Sequence, residues 1–169
     1  MIHINIGSNF ISKHGSLFKN ISVAVELLVY SKVKIKKVSH FYETPSYPNK
    51  KLPNFINIGL LANYDFHYSK LIKEILLIEK KLGRVRAKKN DPRICDIDII
   101  DFDSLIRRGK SLILPHPRSH IRNFVLYPIK EIDPKWIHPK LNKNVDTLIG
   151  ELTQNSRIEI TRLPKSVII

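Results

Sequence analysis

Residues 90–102 read "NDPRICDIDIIDF". From Cys95 onward the run has the apolar content of a buried strand, yet Asp96 and Asp98 stand two residues apart within it. In a strand successive side chains point to opposite faces, so the two aspartates share one face while Cys95, Ile97 and Ile99 share the other. The carboxylates are then roughly 6.6 Å apart. At an effective dielectric of about 20 they repel by roughly 2.5 kcal/mol, and something positive has to offset this. Arg84, Arg86, Lys88, Lys89 and Arg93 crowd the segment just before them.

The plain alternative for an Asp-x-Asp pair is a half-exposed face beside solvent. Three features argue for more: the run is too apolar for an ordinary exposed strand, a Pro-Arg entry precedes it, and five cations lie within the ten or so residues upstream. Carboxylates spaced this way suit Mg²⁺, which takes one or two protein oxygens and completes its octahedron with water and phosphate oxygens. Arginines suit the phosphates, because a guanidinium binds them bidentately and stays charged at any working pH.

Working outward, the chain has 169 residues, 43% of them apolar, which predicts one domain spanning 1–169. The start, Met1-Ile2-His3-Ile4-Asn5-Ile6, alternates polar and apolar residues, and no apolar run approaches the ~20 residues of a membrane span. A soluble, unprocessed protein is expected. Cys95 is the only cysteine, so no internal disulfide can form, and its apolar surroundings point to a buried thiol in the cytoplasm. Lys+Arg 29 against Asp+Glu 15 gives a net charge of +14, which favours anionic partners: nucleic acid, anionic lipid or polyphosphate substrates. Charge alone does not choose among them, and a lysine-rich solvated surface is the plain alternative for many of the lysines.

Along the chain, a strand over about residues 2 to 6 runs into the turn Gly7-Ser8-Asn9. A helix starts near Ser16 with Leu17, Ile21, Ala24, Val25 and Leu28 on one face. Val33 to Tyr42 alternates as a second strand. Three prolines (Pro45, Pro48 and Pro53) make residues 44 to 53 a long loop. A third strand is read from Phe55 to Leu61, and a helix from about Ser69 to Leu82 with Gly83 as its C-cap. A basic loop then leads into the aspartate strand. Leu112-Ile113-Leu114 is a short strand, a third helix is expected to open near Pro117, and residues 157 to 162 alternate like an edge strand. The order β-α-β-β-α-β predicts a ferredoxin-like α/β sandwich, an antiparallel sheet with helices packed on it.

A second cluster, "LPHPRSHIRNFVLYP" at 114–128, gathers His116, Arg118, His120, Arg122 and Phe124. His116 and His120 have the i,i+4 spacing of a zinc pair, but Pro117 lies between them and no third soft ligand is evident. Solvated basic residues at a helix start are the plainer view. The segment from Ser104 to Ser111 resembles a phosphate-binding P-loop only superficially: its first glycine is serine, and Pro115 and Pro117 break the helix that should follow. Phe55 and Phe124, taken singly, are better explained by core packing than by ligand contact. Asn57, two residues beyond Phe55, shares its face of a strand. An amide beside an aromatic suits a flat heterocycle that stacks and makes in-plane hydrogen bonds.

With these motifs in place, the chain resembles the 6-hydroxymethyl-7,8-dihydropterin pyrophosphokinase family, ATP-dependent diphosphotransferases that move pyrophosphate from ATP to a pterin alcohol in folate biosynthesis and leave AMP. The resemblance runs nearly end to end. It is carried by "GSN" at 7–9, "FYETP" at 41–45, "PNFINIGL" at 53–60, "IEKKLGRVR" at 78–86, "PRICDIDIIDF" at 92–102 and "LILPHPRSHIRNFVLYPIKEIDPKWIHP" at 112–139. It implies two Mg²⁺ with ATP, held by Asp96 and Asp98, and a catalytic set of Arg84, Arg86, Asp96 and Asp98. It implies nucleotide contacts at Glu79, Arg84, Arg86, Arg93, His116 and Arg122, with Lys110 as a substitute for an arginine that some members carry near position 111. It also implies that Phe55 and Phe124 sandwich the pterin while Asn57 and the backbone near Thr44 and Pro45 read its edge. In place of the family's usual Arg-Trp-Gly before Pro-Arg this chain has Lys89-Asn90-Asp91, so a large aromatic is missing from the loop expected to close over the site. The expected partners are the two small-molecule substrates, with no nucleic acid and no membrane, acting on a monomer. A rival from another class is a basic nucleic-acid-binding module on the same fold. It would need an RNP-type aromatic strand, which the sequence lacks, and it gives Asp96 and Asp98 no task.

Overall fold

The structure, a computed structural model, describes residues 1–46, 49–83, 94–109 and 112–167. Its elements in chain order are β1 (Ile2–Ser8), α1 (Leu17–Tyr30), β2 (Lys34–Val38), β3 (His40–Thr44), β4 (Phe55–Asn63), α2 (Tyr68–Lys81) and β5 (Asp96–Phe102). There follow a short hairpin, β6 (Arg107–Arg108) with β7 (Ile113–Leu114), then α3 (Asn123–Ile132), a second hairpin of β8 (Ile137–His138) and β9 (Lys143–Asn144), α4 (Val145–Gly150), α5 (Gln154–Ile158) and β10 (Thr161–Ser166).

The main sheet has the order β10-β3-β4-β1-β5, with β2 also paired to β4. Each of the pairings is antiparallel, and β1 runs between β4 and β5. This is the arrangement expected of a split β-α-β unit followed by its second copy: a mixed α/β architecture with helices on an antiparallel sheet. Strand parity divides the core. Ile4, Ile6, Ile58, Leu60, Ile97 and Ile99 face α1 and α2 and form the larger buried cluster with residues such as Leu28, Leu71 and Ile75. A smaller cluster of Ile100, Val125, Leu126, Ile129, Trp136 and Leu148 lies with α3 and α4 on the opposite side.

Local sequence explains where the helices begin. Ser16 caps α1 by accepting the Lys19 amide at 3.3 Å, the position the apolar spacing predicts. Gly83 follows α2 with a φ of 94°, the left-handed conformation that lets a glycine end a helix. Asn144 and Thr153 cap α4 and α5 in the same way, accepting from Thr147 and Ser156.

Three expectations need correction. The strand expected over Val33–Tyr42 is two strands, β2 and β3, laid along the same side of β4 with shifts of register between Ile35 and Lys37 and again around Ser39. Ser39 is fully buried there and exchanges bonds with Gly59: its amide donates to Gly59 O at 3.0 Å and its hydroxyl accepts Gly59 N–H at 2.9 Å. No α-helix opens at Pro117. Ser119 folds back on His116 through its amide (3.0 Å) and its hydroxyl (2.8 Å), giving one 3₁₀ turn over Ser119–Ile121, and α3 starts at Asn123. The edge strand at the tail is Thr161–Ser166, and Gln154–Ile158 is helical.

The β1–β5 register also shifts, between His3 and Ile4, so that Ile4 pairs with Ile99 and His3 with Asp101. Ile100 is the extra residue of this bulge, and Asp101 therefore lies on the α3 side although simple alternation from Asp98 puts it on the other. There it accepts the Trp136 indole at 2.8 Å and the Ser104 amide at 2.9 Å. On the same side Glu131 of α3 accepts the His40 amide at 3.1 Å and the Tyr42 hydroxyl at 2.8 Å. Together these tie α3 and its neighbours to both ends of the sheet.

Candidate functional site

The site lies on the α3 side of the sheet, and strand pairing builds it row by row. Gly7 stands opposite both Asp96 and Asn57, Asn5 opposite both Asp98 and Gly59, and Thr44 opposite Phe55. Directly opposed residues share a face, so Asp96, Asp98, Asn57 and Phe55 point the same way without any help from loops. A cavity of about 150 Å³ forms above them. Of the residues singled out in the sequence, Thr44, Pro45, Phe55, Asn57, Asp96, Asp98, Arg122 and Phe124 all line it.

Gly7 is required at the centre. A Cβ there would sit 2.8 Å from Asn57 Oδ1. With that space left open, Asn57 keeps its amide nitrogen on Thr44 Oγ1 at 3.2 Å, which fixes which edge of the amide meets the cavity. Phe124 enters from the second position of α3, and Arg122 caps that helix with its guanidinium 5.3 Å from the Phe124 ring centroid. Along the sheet face that floors the cavity, Phe55 and Asn57 of β4 thus stand on one side of β1 and the carboxylates of β5 on the other.

Asp98 has 30% of its side chain exposed, and its Oδ2 lies 3.5 Å from Arg122 Nη1 and 3.9 Å from His116 Nε2. His116 is anchored by its own backbone, whose amide donates to Ile100 O at 2.8 Å, and its Nδ1 accepts the Arg118 amide at 3.2 Å. With Nδ1 occupied as an acceptor, the ring proton is on Nε2. Burial, with the Arg122 and Arg118 charges, pushes the His116 ring down to about 4 against the pull of Asp96. At neutral pH His116 is therefore an uncharged donor beside Asp98, and Arg122 is a cation beside the same carboxylate.

Glu79 lies apart from this cavity. It is buried in α2, and its carboxylate accepts the Ile97 amide at 3.0 Å, on the edge of β5 that β1 leaves uncovered and midway between the two aspartates. Arg84, Arg86, Arg93 and Lys110 lie outside the described residues, as do Lys89, Asn90 and Asp91. The structure adds Asn5, Gly7, Asn9, Ser46 and Leu52 to the lining. Asn9 donates to Ser46 Oγ at 3.2 Å, and Ser46 to Pro53 O at 2.5 Å, so the proline-rich loop is stitched to the turn after β1. Gly7 and Asn9 belong to the quoted "GSN" turn. Asn5 was legible only as one of the polar residues that alternate with apolar ones along the first strand.

The histidines make acid stability testable. Burial, the largest cause in each case, pushes His3, His116 and His138 below their ordinary range; Asp133 opposes it at His3, and His120 adds to it at His138. A ring that resists protonation in the fold stabilises fully above about pH 6.5, and the contribution is lost as pH falls through that value toward 4. For His116 the loss by pH 5 is about 2 kcal/mol. The thermal midpoint is expected to drop by about 4–8 °C between pH 7.5 and pH 5 from this residue, and His116→Gln should remove that share. An unchanged slope in His116→Gln would show that another group carries it.

Residues 3–134 match the family model described as 7,8-dihydro-6-hydroxymethylpterin-pyrophosphokinase (HPPK). The chain is 33% identical over 142 residues to the Aquifex aeolicus 2-amino-4-hydroxy-6-hydroxymethyldihydropteridine pyrophosphokinase, covering 84% of this chain and 86% of that one. It is 36% identical over 138 residues to the Pneumocystis carinii folic acid synthesis protein fol1, but spans only 18% of that longer protein. Among solved structures, wild-type Plasmodium falciparum HPPK-DHPS superposes with a TM-score of 0.68 at 15% identity, over 95% of this chain and 47% of that one, which shows a shared fold. Among the described residues no helix is long and apolar enough to cross a membrane. With a family match that takes in the β1 turn, the aspartate strand and α3 together, the chain belongs to the 7,8-dihydro-6-hydroxymethylpterin-pyrophosphokinase family.

Proposed function

We propose that this chain transfers pyrophosphate from ATP to 6-hydroxymethyl-7,8-dihydropterin, releasing AMP. The observation that carries the reading is that two carboxylates and an aromatic-amide pocket open into one cavity: Asp96 and Asp98 on β5 face the same space as Phe55, Asn57 and Phe124. The donor set fits magnesium, being hard oxygens, two in number, on a rigid strand, with room beside them for phosphate oxygens. Asp96 and Asp98 would hold two Mg²⁺ with the nucleotide, and the ions would neutralise charge developing on the phosphate oxygens.

The chain's own groups supply binding and orientation. Phe55 and Phe124 stack the bicyclic ring, while Asn57, fixed by Thr44, reads its edge together with the backbone of Thr44 and Pro45. Arg122 and the neutral His116 offer N–H donors to phosphate oxygens beside Asp98, and Arg84, Arg86, Arg93 and Lys110 are assigned to the rest of the triphosphate. Glu79 belongs to the nucleotide side of the site through the edge of β5 that it caps. The lining carboxylates are assigned to the metal ions, Ser46 donates to Pro53 O and Thr44 Oγ1 accepts from Asn57, so the reading needs no covalent intermediate on the protein. The residues therefore work by placing the pterin hydroxymethyl oxygen in line with the β-phosphorus, a reaction type that needs positioning and charge stabilisation more than bond-making by the protein. Residues 44–53 and 84–92 are the proposed covers that exclude water from the bound triphosphate. The protein is read as one pyrophosphokinase domain over 1–169, a cytoplasmic monomer acting on small molecules; the buried Cys95 accords with that compartment.

The test is to incubate the protein with ATP, magnesium and 6-hydroxymethyl-7,8-dihydropterin. AMP should accumulate in step with a pterin diphosphate. ADP as the nucleotide product, or no pterin-dependent turnover, would overturn the reading.

A further inference from the structure

We infer that Asn5 holds the pterin-facing Phe124 in place by supplying the hydrogen bond that Pro128 withholds from the Phe124 carbonyl; the binding half of this inference rests on the function proposed above. In an α-helix the carbonyl of residue i accepts from the amide of residue i+4. Pro128 lies inside α3, four residues after Phe124. It has no amide hydrogen, and its ring crowds the carbonyl that the hydrogen would have met. Phe124 O therefore needs a donor from outside the helix, since a buried carbonyl left unpaired is costly.

Asn5 is that donor. It is a polar residue 5% exposed in the middle of β1, on the α3 side. With its amide nitrogen turned toward the carbonyls it donates to Phe124 O at 2.9 Å and to Ile58 O at 3.1 Å. The opposite orientation would set its oxygen against both acceptors, so the hydrogen-bond network fixes the amide. Its place in the sheet adds the functional link: Asn5 is opposed by Asp98 on one side and Gly59 on the other. Gly59 in turn is where Pro128 rests, since a Cβ there would come 2.8 Å from Pro128 Cβ. A proline that lets α3 sit close to the sheet and an asparagine that repairs the bond it breaks thus set the distance from the Phe124 ring to the aspartate strand. Asn5 is a positioning residue for the pterin side of the cavity.

The test is a double-mutant cycle between Asn5 and Pro128. Asn5→Leu keeps the branched shape, with somewhat more bulk, and removes the donor. It should raise the pterin KM and Kd about tenfold, with kcat and the ATP KM changed by no more than about twofold. In Pro128→Ala, where residue 128 regains an amide for Phe124 O, the same Asn5→Leu change should cost about twofold or less. Asn5→Ala, smaller than leucine, should repeat the pattern if leucine disturbs the packing near Gly59. Equal penalties in the two backgrounds, or a fall in kcat and a rise in both KM values together, would overturn the inference. The same cycle read by thermal unfolding decides the hydrogen bond alone. Coupling there in a protein that forms no AMP would retire the proposed function and leave the Asn5–Phe124 tie standing, whereas an absence of coupling would remove the tie whatever the enzyme does.

Discussion

Asp98→Ala is expected to lower turnover about a thousandfold or more while leaving pterin binding to the nucleotide-free protein within a few-fold of the parent. A metal that neutralises charge in phosphoryl-type transfer contributes several kcal/mol, and each 1.36 kcal/mol is a factor of about ten in rate. Losing the ion that Asp98 helps to hold therefore costs about three powers of ten. The fold should hardly notice. Asp98 is partly exposed at the cavity, where Arg122 and His116 lie 3.5 and 3.9 Å from its Oδ2, and its removal relieves repulsion from Asp96. Asp98→Asn, which keeps the shape and loses the charge, should fall nearly as far. Steady-state AMP formation, pterin titration and a thermal melt on the same preparations separate the possibilities. Near-parental turnover in Asp98→Ala would sink the metal assignment, and a collapse of the melting temperature equal to the collapse of activity would make Asp98 a structural residue.

How much of this was legible depends on whether a feature is local. The helix start at Ser16 and the stop at Gly83 were legible because capping and a left-handed φ are properties of a few adjacent residues. The shared face of Asp96 and Asp98 followed from a two-residue period that no neighbour can alter while the strand stays regular. The bulge at Ile100 breaks that period one residue further on, and nothing in "IIDF" announces it, because the extra residue is defined only against its partner strand. The same holds for the shifts that divide β2 from β3: the alternation through Val33–Tyr42 is continuous in sequence, and only the bonds between Ser39 and Gly59 place the break. At Ser119 a side chain competed with helix formation and won, so α3 began later than the proline spacing implied. Within the candidate site, Asp96 and Asp98 stood out by type and spacing, whereas Thr44, Pro45, Phe55 and Phe124 were singled out through the family resemblance; all of them line the cavity. Asn5 and Gly7 were not assigned, since one acts through a carbonyl 119 positions away in sequence and the other through the absence of a side chain.

That dependence on empty space yields the second large effect, at Gly59. Gly59→Val is expected to destabilise the protein by about 3 kcal/mol, a drop of about 6–12 °C in the thermal midpoint for a chain of this size. A Cβ at this position would lie 2.8 Å from Pro128 Cβ, 3.2 Å from Ile132 Cδ1 and 3.4 Å from the Pro128 carbonyl carbon. The obstacle is a proline ring and helix backbone rather than the tip of a flexible chain, so relief requires α3 to back away from β4. Val adds two methyl groups to that Cβ, and Gly59→Ala, which adds none, should fall between the parent and Gly59→Val. Because α3 carries Phe124 and is capped by Arg122, its retreat also opens the cavity, and pterin affinity should weaken in the same order as stability. Gly150, where a Cβ would meet nothing within 4 Å, provides the contrast: Gly150→Ala at the end of α4 should be neutral or gain up to about 1 kcal/mol by reducing backbone freedom in the unfolded chain. If Gly59→Val melts like the parent, the close approach of Pro128 to the sheet is not a feature of the protein in solution, and the geometry that brings Phe124 into one cavity with Asp96 and Asp98 falls with it.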